Sequence, residues 1–201
     1  MPRAKQRTPE LRAALLGVAM SVLASEGIEG FTTRRVAEQA STSTPAVYEL
    51  FGDRAGLVRA MFFEGFHRLQ DRFDALTDTE DPEADLLAVM SSFRLFAARN
   101  PTLIQLMFAR PFADFDPGPD DLEAGRSTRQ FVVHRVRRCI DRGLIAGDAI
   151  DIAHALLALC QGLAAQETAG WLGTSRRSRD RRWAIGTRAL LSGLAPDHYV
   201  G

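Results

Sequence analysis

Cysteine is nearly absent from this chain: Cys139 and Cys160 are the only two in 201 residues. Two thiols in apolar, helical surroundings are too few for a disulfide or zinc framework. The four histidines, His67, His134, His154 and His198, lack the spacing of metal ligands. A dinucleotide glycine motif, a phosphate-binding loop, His-Glu-x-x-His and Gly-x-Ser-x-Gly are missing too. The loop carboxylates Asp114, Asp116, Asp120 and Asp121 have no neighbouring base to work with. No metal, no cofactor and no catalysis are expected. No stretch approaches the ~20 apolar residues that span a bilayer. The first residues, MPRAKQRTPELR, lack the apolar run of a signal peptide. A cytoplasmic protein without a membrane partner is expected.

Net charge is also lacking, with 25 bases against 25 acids. That excludes a uniformly basic nucleic-acid coat protein but not a local basic face. By segment the balance breaks up: residues 1–60 carry two surplus bases, residues 61–125 eight surplus acids, and residues 126–201 six surplus bases. With 46% apolar residues the chain reads as ordinary globular material, one large domain or two small ones.

No segment alternates as a strand does; the apolar period is helical almost throughout, and the fold class is all-α. Leu11, Leu15, Ala19, Val22 and Leu23 share one face of a first helix that Gly27 can stop. Thr32 or Thr33 can cap a short second helix with Val36, Ala37 and Ala40 inward. After the turn Ser41-Thr42-Ser43, Thr44-Pro45 opens a third helix, and Gly52-Asp53 ends it and caps a long fourth. Thr77–Asp81 reads as an acidic linker. Helices follow from Pro82 to Asn100 and around Leu103–Phe108, then a proline-rich loop Arg110–Pro119. The last three are expected over Asp120–Arg142, Asp148–Ala169 and Ser178–Leu194, about nine helices in all.

Two short helices joined by a three-residue turn, the second small and polar at its start, fit a helix-turn-helix. A helix entering a major groove about 12 Å wide needs short leading residues for its backbone to approach. Ser43, Thr44, Pro45 and Ala46 meet that need, Val47 and Phe51 face inward, and Tyr48 points out toward a phosphate.

The stretch Gly27–Val58, GIEGFTTRRVAEQASTSTPAVYELFGDRAGLV, resembles the DNA-binding domain of the tetracycline-repressor-like (TetR) family. The matching positions are Gly30-Phe31, Thr32-Thr33, Val36-Ala37, Ala40, Ser43, Pro45-Ala46-Val47-Tyr48, Phe51, Asp53-Arg54 and Leu57. The family's turn usually reads Ala-Gly-Val-Ser; here it is Ala40-Ser41-Thr42-Ser43, so Ser41 takes a geometry that glycine adopts at less cost. The resemblance implies DNA contacts from Thr33, Arg34, Ser43, Thr44, Pro45, Ala46, Tyr48 and Arg54. Base reading falls to Thr44, Pro45 and Ala46, and phosphate anchoring to Thr33, Tyr48 and Arg54. Lys5 and Arg7 on an N-terminal arm could add sequence-independent attraction.

The runs NPTLIQLMFARPFADFDP and AHALLALCQGLAAQETAG are similar to one C-terminal subfamily of TetR-like regulators, with Leu157 where a Trp is common and Gln161-Gly162 in place of His-Gly. Large apolar groups, Met90, Phe93, Phe96, Met107, Phe108, Phe112 and Cys160, with His134 and Gln161 as polar members, are candidates to line a cavity for a small hydrophobic effector. Ala155, Leu156, Leu159, Leu163, Trp183, Leu190 and Leu191 on the last two helices suggest a homodimer through a four-helix interface. The resulting expectation is a DNA-binding domain at 1–58, an effector and dimerisation domain at 59–201, and a repressor released from a palindromic operator by its effector. The alternative is an architectural DNA-binding protein controlled by protein contacts, with no small-molecule ligand.

Overall fold

The computed structural model describes residues 9–109 and 111–198, and among these every regular element is a helix. Nine helices exceed one turn: α1 (Pro9–Gly30), α2 (Thr33–Gln39), α3 (Thr44–Phe51), α4 (Arg54–Asp74), α5 (Pro82–Arg99), α6 (Pro101–Ala109), α8 (Arg126–Asp141), α9 (Ala149–Thr168) and α10 (Arg176–Gly193). The one-turn α7 (Pro119–Leu122) and a 3₁₀ turn, Glu123–Gly125, precede α8. The single helix expected over Asp120–Arg142 is therefore broken, with Gly125 standing at the N-cap of α8. The last helix starts earlier than Ser178. Ser175 caps it by accepting the Ser178 N–H, so the run from Arg176 to Arg182 forms its first turns.

The chain divides into two compact units. The first holds the described residues up to His67 and those between Asn100 and Ala124, and the second holds Arg68–Arg99 and the described residues from Gly125 on.

In the first unit α1 packs on α2 and α6, and α2 packs on α3. Leu15, Ala19, Val22, Leu23, Phe31, Val36, Val47 and Leu57 are buried there. Gly27 has φ 71° and ψ −171°, which interrupts α1 where a stop was expected. Aromatic edges join α4 to later chain, with Phe66 on Phe108 and Phe62 on Phe115, ring centres 5.6 and 5.5 Å apart. A methyl added at Gly65 of α4 would sit 2.8 Å from Met107 Sδ, so α6 crosses α4 where the side chain is missing.

In the second unit α5 packs on α8 and α9, and α10 packs on α9. The segment 77–81 is pinned down. Arg135, 2% exposed, donates to the carbonyl oxygens of Leu76 and Thr77 at 2.9 and 3.3 Å, and its Nε lies 2.9 Å from Asp78 Oδ1. Buried Asp85 accepts the Thr79 N–H and hydroxyl, both at 2.8 Å, and pairs with Arg138.

α1 and α9 reach the length and hydropathy of a membrane span, which the reading of the sequence did not anticipate. Their apolar side chains have another use: Leu15, Ala19 and Leu23 of α1 and Ile152, Leu156 and Cys160 of α9 are buried in the protein's own cores.

Candidate nucleic-acid interface and ligand cavities

Thr32 takes the α2 N-cap, with extended backbone and its hydroxyl accepting the Arg35 N–H at 3.1 Å. At the far end the Thr42 N–H reaches the Ala37 carbonyl (2.9 Å) and the Ser41 N–H reaches Glu38 (3.1 Å), the paired bonds of a Schellman motif. That motif puts its closing residue in the left-handed region, and Ser41 has φ 51°, the only non-glycine with positive φ among the described residues. The left-handed region costs a side-chain-bearing residue about 1–2 kcal/mol, partly offset by the greater freedom of glycine when unfolded. Ser41→Gly is therefore expected to raise stability by roughly 0.5–1 kcal/mol and Tm by about 1–3 °C, read by thermal melting. A lower Tm would contradict this account of the turn.

Ser43 caps α3, accepting the Ala46 N–H at 3.3 Å, which leaves its hydroxyl proton to donate outward. Val47 and Phe51 are buried, and Thr44, Pro45 and Ala46 lie at the half-exposed to exposed leading end. Tyr48 is 41% exposed. Asp53 caps α4 through the Gly56 N–H at 2.7 Å. The starts of α2, α3 and α4 thus present first-turn N–H groups, which suit phosphate oxygens.

Two proposed contacts are placed otherwise than expected. Thr33 is buried and its hydroxyl has no partner, so its side chain does not face outward and its backbone N–H is the group left to donate. Arg54 is already engaged: its Nη1 lies 2.5 Å from Asp114, and its guanidinium stacks on Phe112 at 4.9 Å. Arg34 is exposed and spans one turn to Glu38 at 3.0 Å. Lys5 and Arg7 lie outside the described residues.

The cavity candidates are divided between the two units. Met107, Phe108 and Phe112 belong to the first unit. There Met107 meets Gly65, Phe108 meets Phe66, and Phe112 packs on Phe31 with ring centres 5.6 Å apart. In the second unit Met90, Phe93 and Cys160 share the wall of a void of about 10 Å³, enough for one water at most. Phe96 is buried but not on that wall, and Gln161 is half-buried. His134 is exposed, with Nε2 3.1 Å from Asp78, on a surface rather than in a cavity. Burial pushes the Cys160 thiol up to about 12 and that of Cys139 to about 11, so both stay protonated. Among the described residues no cluster of His, Cys, Asp or Glu could hold a metal ion.

The larger space is an open groove of about 560 Å³ in the second unit, between the face of α5 from Leu87 to Ala98 and the face of α10 from Arg176 to Arg188. A strut crosses it: Arg94 grips Glu167 with two bonds of 2.8 Å, reaches Asp180 at 2.8 Å, and lies over Trp183, whose indole N–H donates to Glu167 at 2.6 Å. Of the cavity candidates only Met90 lines it, and Trp183, also in its lining, was expected at the dimer face instead. The available signal was polar, an arginine in a mostly apolar helical face of α5.

A capped helix-turn-helix within an all-helical chain is the arrangement of a class of DNA-associated regulators. Residues 15–61 match the family described as bacterial regulatory proteins, tetR family, and residues 86–190 match the tetracyclin repressor-like C-terminal domain; the chain belongs to the TetR family. It is 27% identical over 172 residues to the tetracycline repressor protein class C of Escherichia coli, covering 85% of this chain and 72% of that one. It is 25% identical over 142 residues to an HTH-type transcriptional regulator of Mycobacterium tuberculosis, spanning 69% of this chain and 59% of that relative's length. A protein of unknown function from Rhodococcus sp. RHA1 matches over 97% of this chain and all of its own, at 27% identity and TM-score 0.79. A TetR variant of Acinetobacter baumannii, solved with minocycline, shares the fold at 18% identity and TM-score 0.65, covering 92% of this chain and 97% of that one.

Proposed function

We propose that this protein is a cytoplasmic, homodimeric transcriptional repressor that leaves a near-palindromic operator when a small effector binds. The observation that carries the reading is α3: a helix of eight residues, capped at both ends, with small side chains leading and Tyr48 exposed. One α3 from each subunit would enter successive major grooves about 34–36 Å apart. The functional division is proposed at 58/59, with residues 1–58 on DNA and 59–201 serving effector and partner.

The proposed dimer face is narrower than the apolar pattern suggested. Leu156, Trp183 and Leu191 are buried within their own subunit; Ala155 and Ile185 are exposed, and Leu159, Leu163 and Leu190 are half-buried. The effector acts only if it binds the DNA-incompetent arrangement more tightly, since a ligand with equal affinity for both states shifts nothing.

Tyr48→Phe combined with Arg54→Ala tests the reading by titration against operator DNA, selected from a random pool, at several salt concentrations. Affinity is expected to fall about tenfold or more, and the salt slope to drop by about one. Affinity unchanged across salt removes the DNA assignment. Asp114→Asn gives the opposite sign: releasing Arg54 to a phosphate is expected to tighten operator binding by up to about fivefold, the range of a surface ion pair. Weaker binding would mean that Asp114 orients Arg54 rather than competing for it.

A further inference from the structure

The groove between α5 and α10 has a composition that names its ligand. Met90 and Trp183 are buried along it, and Leu95 of α5, 48% exposed, adds a bare apolar wall. Its volume of about 560 Å³ falls within the range of small-molecule sites, ~300–1,000 Å³. The α10 face spans thirteen residues from Arg176 to Arg188, about 18 Å end to end at the rise of an α-helix.

Four guanidiniums (Arg94, Arg176, Arg179, Arg188) face two carboxylates (Glu167, Asp180) in its lining, leaving two surplus positive charges. Arg94 and Arg179 are spent on the strut, Arg179 lying 3.2 Å from Glu167 and donating to the Thr174 carbonyl at 3.2 Å. The Arg94 guanidinium, helped by the Trp183 N–H, holds Glu167 below the usual carboxylate range, so that acid stays charged. Arg176 is exposed and meets Asp180 only at 3.7 Å. Arg188 is exposed and has no ion pair among the described residues.

We propose that this groove binds an amphipathic monoanion, its apolar alkyl or aryl body lying along Met90, Trp183 and Leu95 and its carboxylate held by Arg188. An isolated guanidinium beside an apolar slot suits such a head group because an N–H···carboxylate bond there is charge-assisted. A second copy of the chain is a poorer occupant. Two-fold pairing through this groove would set Arg188 and its surplus charge against an identical surface. The binding stands on the groove alone; its role as effector rests on the regulatory reading above.

The chain has two tryptophans, and Trp171 is 79% exposed outside the groove. The Trp171→Phe variant of the full chain therefore reports Trp183 alone. Sodium decanoate below its micellar concentration is expected to change that fluorescence saturably, and decyltrimethylammonium, with the same tail and opposite head, to bind at least tenfold more weakly. Adding Arg188→Gln is expected to weaken decanoate about tenfold, since a hydrogen bond to a charged group contributes ~1.5–3 kcal/mol, while the ligand-free melting curve stays in place. No saturable response, equal binding of the two head groups, or unchanged affinity in Arg188→Gln overturns the proposal. So does sedimentation showing that ligand-free dimers part on Leu95→Arg, which adds bulk and charge to the groove wall, the result for a second copy seated there. Operator release is scored separately: decanoate binding without release leaves the site assigned and removes its effector role.

Discussion

Replacing Asp85 by Asn is expected to lower the unfolding free energy by about 3–5 kcal/mol, the range for removing one partner of a buried ion pair. Asp85 is 4% exposed and faces two cations, Arg138 in direct contact and Arg135 at 3.8 Å. Asparagine would keep an acceptor for Thr79, but its amide group would meet Arg138 with donors on both sides, and the nearly inaccessible charge of Arg135 would lose a counter-ion. Burial pushes the Asp85 carboxyl upward, yet the Thr79 N–H, the Arg138 guanidinium and the Thr79 hydroxyl outweigh it and bring it from 3.8 down to about 2. Its folded pKa is depressed, so its contribution is complete well above pH 3.8 and is lost as pH falls toward 2. Urea melts of both proteins should therefore differ most near neutral pH and converge in acid. A constant difference across that range would show that the effect lies in packing rather than charge.

This network also shows where the sequence was readable and where it was not. Thr77–Asp81 looks like a free acidic linker when read along the chain, because its partners Arg135 and Arg138 are almost sixty residues away and periodicity carries no long-range pairing. The helix ends, by contrast, were legible because their causes are local. Gly27 interrupts α1, and Gly52 and Asp53 end α3 and cap α4, through groups within a few residues of themselves; Ser43, read as part of a turn, is the cap of α3. So was the strained turn, since a helix ending in the left-handed region demands glycine and the chain offers Ser41. The solvent-facing positions at the start of α3 were legible by position within a short motif. The apolar candidates are divided between the two units, because large hydrophobic side chains signal burial without saying against what. Met107 fills the gap above Gly65, and Phe112 serves Arg54 and Phe31. His134 sits on the amphipathic α8 and faces Asp78 at the surface. The groove's own signature, Arg94 with Glu167 and Trp183, needed three helices to assemble.

Gly56→Ala is expected to abolish operator binding more completely than loss of any single contacting side chain. A methyl on Gly56 would lie 1.9 Å from the Phe51 carbonyl oxygen and 3.1 Å from its carbon. Neither can swing aside as a long side chain would, because both belong to the backbone that ends α3. The corner between α3 and α4 is already tight: Gly52 takes φ 85°, its N–H closes on Tyr48 at 2.7 Å, and Asp53 turns at once to cap α4. Relief requires α3 to tilt away from α4, and buried Phe51 and Val47 resist that through the core beneath them. Overpacking a filled site typically costs ~1–3 kcal/mol, and a backbone obstacle places this case at or above the upper end. The expected result is a Tm lowered by several degrees together with at least a hundredfold loss of operator affinity. An error of about 1 Å in where Thr44–Ala46 and Tyr48 meet the groove removes several contacts together, whereas Arg54→Ala removes one. Operator titration of Gly56→Ala at a temperature where circular dichroism shows it folded separates the two effects. Near-normal affinity in that folded state would mean that the α3–α4 corner can open without moving the recognition helix, and the placement of α3 would then depend on its packing against α2.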